Sequence, residues 1–166
     1  MQWSQLKHRV EARFAPSLKG RVQVWAAVYR KPATTDGRGW ITLDGEQIHS
    51  MTDTPGDAAW RALGQAIDAA AVAEPGTPES DWSRHGAYFF TYHDFREALE
   101  WSLQCGVDEL LASESPLCRA LAMLDGRLGK RRFQRLAGME REHPLVTLLY
   151  GIRAQAERWP PGAPAS

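Results

Sequence analysis

The chain has 166 residues, 43% of them apolar and 24% charged, and its formal net charge at pH 7 is +0. This size suits one ordinary domain with its own core, and the apolar fraction excludes an intrinsically disordered chain. No apolar run approaches the roughly 18 residues of a membrane span, and the opening MQWSQLKHRVEARF, amphipathic and carrying Glu11, reads as neither signal peptide nor anchor.

Trp3, Leu6, Val10 and Phe14 recur at spacings of three, four and four with charged residues between them, which predicts an amphipathic helix ended by Pro16. In RVQVWAAVYR, Val22, Val24, Ala26 and Val28 alternate with Gln23, Trp25, Ala27 and Tyr29, the period of a strand. KPATTDGRG reads as a polar loop. WITLDGEQIHSM follows as a hairpin turning at Asp44-Gly45, with Ile41 facing Ile48. Thr54-Pro55-Gly56-Asp57 opens a second helix, whose stripe of Trp60, Leu63, Ile67 and Ala70 or Ala71 is suited to cover one side of the sheet. AEPGTPESDWSRHG then reads as a loop between two halves.

Beyond it, AYFFTY is expected as a short fourth strand, then a helix capped by Asp94 with Glu97 at N3 and with Phe95, Ala98, Leu99 and Leu103 on one side. VDELLA adds a further turn or two. Ser115-Pro116 opens a helix striped by Leu117, Leu121, Leu124 and Leu128. The last helix starts at Pro144 with Leu145, Leu148, Leu149, Ile152, Ala156 and Trp159 inward. The expectation is an α+β fold: a small antiparallel sheet of three to four strands covered by helices, then a C-terminal helical half. Residues 1–84 form the first half, 85–160 the mainly helical half packed with it as one domain, and 161–166 a disordered tail.

The zero net charge conceals an asymmetry. Residues 1–30 carry six Lys/Arg against one acid, residues 31–115 five against fifteen, and residues 116–166 nine against four. Basic ends that meet in space would form a positive face able to steer a partner; the alternative is that they pair with the acidic middle.

The densest basic stretch holds Arg127, Lys130, Arg131, Arg132 and Arg135 behind the leucine stripe. Cations at a helix C-terminus face unpaired carbonyls and the negative end of the dipole. A phosphate site would instead need Gly129 to start a new turn that offers amides. GRLGKR is not a Walker A loop, because its glycine spacing is too short and no Ser or Thr follows the lysine. With Phe133 alone, it also lacks the aromatic interleaving of a single-strand platform.

No catalytic, metal or cofactor motif stands out. His93 beside Asp94 would be an oriented base only if Asp94 were not a helix cap, and Cys105 would need a histidine delivered by the fold. The five histidines lack metal-ligand spacing. Cys105 and Cys118 are too few for a disulfide framework, so reduced thiols and a cytoplasmic location are expected. Seven tryptophans are many for this length. Trp25, Tyr29 and Trp40 fall on a second face of the sheet, where either the first helix covers them or they form a partner site.

Taken together, the opening MQWSQLKHRVEARFAPSLKGRV, the hairpin GRGWITLDGEQI, the segment ESPLCRALAMLDGRLGKRR and the later HPLV resemble a family of small, uncharacterised bacterial proteins. The resemblance implies no particular activity. Its members tend to have a second arginine where this chain has Gly126, which makes a phosphate clamp less expected here. The leading expectation is a protein-binding module, of immunity or antitoxin type, with no cofactor and no membrane partner. The alternatives are a nucleic-acid or phosphate-ligand binder acting through residues 127–135, and an enzyme of unknown type.

Overall fold

The computed structural model of the chain describes residues 1–30, 35–53, 90–136, 138–139 and 142–159. Its elements are α1 (Trp3–Ala12), a 3-10 turn (Pro16–Leu18), β1 (Val22–Arg30), β2 (Thr35–Leu43), β3 (Glu46–Thr52), α2 (Tyr92–Ser102), α3 (Val107–Leu111), α4 (Pro116–Leu124), α5 (Lys130–Phe133) and α6 (Pro144–Ala156). The three strands form an antiparallel sheet in the order β1-β2-β3, and the C-terminal half is helical, as an α+β fold requires. The second helix expected from Thr54, the loop after it, residues 87–89 of the expected fourth strand and the tail 161–166 lie outside the described residues. Phe90–Tyr92 are not a strand.

The hairpin turns where two positive φ values were expected, at Asp44 (51°) and Gly45 (90°). Its register differs from the simple alternation. Thr42 pairs with Gln47 but Ile41 pairs with His49, so Ile48 is the extra residue of a bulge and does not face Ile41. The second correction is to the loop reading of KPATTDGRG, because Thr35–Gly39 already belong to β2. Gly37 and Gly39 lie where α2 crosses the sheet, and a Cβ added at either would overlap the ring of Tyr92 or Phe95 respectively. Glycine is a poor strand former. Here it makes room for two aromatic rings against the backbone.

α2 starts earlier than its acidic residues suggest. Thr91 is the N-cap and Asp94 is N3: the Asp94 amide donates to Thr91 Oγ1 (3.0 Å), and the Thr91 amide donates back to the Asp94 carboxylate (2.8 Å). α4 has the expected Pro116 at N1 but ends at Leu124, after which Asp125 turns into an extended conformation. Leu128 is buried outside the helix. In α6, Leu145 and Leu149 are buried while Leu148 is 39% exposed, against the expectation that it would point inward.

The two ends of the chain meet. The Ala15 amide donates to the Leu124 carbonyl and the Gly126 amide to the Arg13 carbonyl, each at 2.8 Å, which joins the segment after α1 to the exit of α4. Leu6, Val10, Val24, Ile41, Met51, Phe95, Leu99, Leu121 and Leu149 belong to one buried cluster that draws on both halves.

Candidate functional site

Alternation along β1 and β2 separates two faces of the sheet. Val24, Ile41 and Met51 point into the core, while Trp25, Tyr29, Arg38 and Trp40 point the other way. Trp25 and Trp40 are direct partners across the ladder, and their rings stack at 6.4 Å with an interplanar angle of 13°. Trp25 Nε1 donates to Thr42 Oγ1 (3.1 Å), which tethers the indole to β2. Cations lie over both rings: Lys7 Nζ is 3.6 Å from the Trp25 ring centroid, and the Arg38 guanidinium is 5.4 Å from that of Trp40. Arg38 also donates to Ser50 Oγ and Gln47 Oε1, both neutral acceptors. Trp25 is 36% exposed and Tyr29 54%.

The first helix does not cover this face. Its apolar residues Leu6 and Val10 go into the core, and only Lys7 reaches round to Trp25. Lys7 and Glu11, an i,i+4 ion pair at 2.8 Å, clip the outer edge of β1. Lys7 donates to the Val24 carbonyl (2.8 Å), and the Val24 amide donates to the Glu11 carboxylate (2.9 Å). The sequence reading missed this clip, although its signal was the Lys-x-x-x-Glu spacing on a helix that precedes a strand.

The basic run does not finish the leucine-striped helix. Gly129 opens a new four-residue helix, α5, and Lys130, Arg131 and Arg135 are exposed. Arg132 pairs with Asp108, and Arg127 forks onto Asp125 (2.6 and 3.0 Å) while donating to the Cys105 carbonyl (3.0 Å). The Asp125 carboxylate holds the Arg127 guanidinium above its ordinary pKa. The carbonyls at the end of α4 are met from elsewhere. Arg153 of α6, 2% exposed, donates to the carbonyls of Met123 (3.1 Å), Asp125 (2.6 Å) and Leu128 (2.6 Å) and to Glu157 (3.3 Å). Phe133 and Trp159 lie 5.3 and 5.4 Å from its guanidinium. Arg153 continues the Leu145–Leu149 spacing, so a charged residue on an apolar stripe was the available signal.

Arginines close other helix ends in the same way. Arg13 donates to the Ser102 and Leu103 carbonyls at the end of α2 (2.6 and 2.9 Å). Arg119 donates to Ser113 and Glu114 after α3 (2.7 and 2.9 Å). Much of the basic excess at the two chain ends is therefore consumed inside the molecule.

The residues weighed for catalysis have separate duties. Asp94 completes the α2 cap, and exposed His93 faces Glu97 at 3.2 Å. Cys105 is a buried thiol, and burial pushes it above its ordinary pKa, away from a reactive thiolate. His143 is the N-cap of α6, its Nδ1 accepting from the Leu145 amide (3.2 Å). Burial, with His49 and Arg119 nearby, lowers its pKa to about 4, so it stays neutral and keeps that lone pair. Among the described residues no three His, Cys, Asp or Glu side chains gather as a metal site would require, and no helix is long and apolar enough to cross a membrane.

Fold and surface together define an α+β protein with exposed Trp25 and Tyr29 on the outer side of a three-stranded sheet. The chain belongs to the SF0329 protein family, which it matches over residues 2–154. No curated protein and no solved structure matches it.

Proposed function

We propose that the chain is a protein-binding module of the bacterial cytoplasm, of immunity or antitoxin type, and that it binds through Trp25, Tyr29 and Trp40. The stacked Trp25–Trp40 pair carries this reading, since it stands beside exposed Tyr29 with a cation over each indole. Clustered, rigid aromatics next to an arginine are the composition of interface hot spots. Affinity capture followed by reconstitution with the purified, identified partner tests it. A stoichiometric complex that weakens by at least about 2 kcal/mol in Trp25→Ala/Tyr29→Ala is expected. A partner bound equally well by that variant refutes the site.

A second reading is favoured by the exposed cations Lys130, Arg131 and Arg135, for which no ion pair is found among the described residues. As a nucleic-acid or phosphate-ligand site, this segment would bind a short RNA or DNA duplex with an affinity that falls steeply with salt and drops in the triple alanine variant. Absent or salt-independent binding removes this reading.

A further inference from the structure

We draw no further inference here: the strongest candidate, the open groove along the outer face of α6 at Thr147, Leu148, Gly151 and Ile152, carries no proposal because nothing in the structure shows what covers it.

Discussion

At Arg153, three backbone carbonyls and one carboxylate surround a guanidinium flanked by two aromatic rings, so its donors are engaged where water is excluded. Burial holds its pKa below the ordinary value, and the geometry matches the planar fork that only arginine provides. Arg153→Met takes the donor from the Met123 and Leu128 carbonyls, while the Asp125 carbonyl keeps the Leu128 amide, and a loss of about 3 kcal/mol is expected in urea denaturation. Arg153→Lys recovers only part of it. His143 gives the molecule an acid sensitivity of known sign. The unfolded chain takes up this proton near pH 6.5 and the folded chain only near pH 4, so the stabilisation is complete above 6.5 and is lost as pH falls toward 4. With partial solvent screening the change is about 1–2 kcal/mol. His143→Asn keeps a cap acceptor that does not titrate, and the slope of stability against pH between 6.5 and 4 should flatten in that variant.

Elements meet here at places where side chains are missing or charged. β2 passes under α2 at two glycines, and Gly39→Ala drives a methyl group into the Phe95 ring. Its expected destabilisation is about 1–3 kcal/mol. Phe95→Leu in the same chain should relieve part of it, so the double variant loses less than the sum of the singles in thermal unfolding. The Lys7–Glu11 clip substitutes for a neighbouring strand at Val24. Glu11→Ala should therefore speed hydrogen exchange at the Val24 amide by at least about tenfold. The Ala26 and Val28 amides, which point outward, are expected to exchange rapidly in the unaltered protein.

Across the whole molecule, the segment after α1 serves as a strut for the helical half. Arg13 closes the end of α2, Ala15 and Gly126 tie the segment to the exit of α4, and Ser17 donates to Glu157 just after α6 (3.1 Å). Removing residues 1–18 should melt far more helix than the ten residues of α1 contain, which far-UV circular dichroism measures. The meeting of the two basic ends does not by itself make a positive face. Arg13, Arg119, Arg127 and Arg153 are spent on carbonyls and carboxylates, and Lys130, Arg131 and Arg135 remain exposed.

The amphipathic periods, the Asp44-Gly45 turn, the proline at the start of α4 and α6 and the aromatic face of β1 and β2 were all legible from the sequence, because each follows from local φ preference or from side-chain spacing along one element. The glycines inside β2, the bulge at Ile48, the end of α4 at Leu124 and the role of Arg153 were not. Each depends on a group distant in sequence: a ring of α2 seated on the strand, a bulge that redirects His49, or a carbonyl that needs a donor from another helix. Spacing along the chain showed which side chains share a face. Only tertiary packing decided which faces were covered, and it left Trp25 and Tyr29 exposed because α1 turns its leucine and valine to the core and sends only Lys7 over the edge.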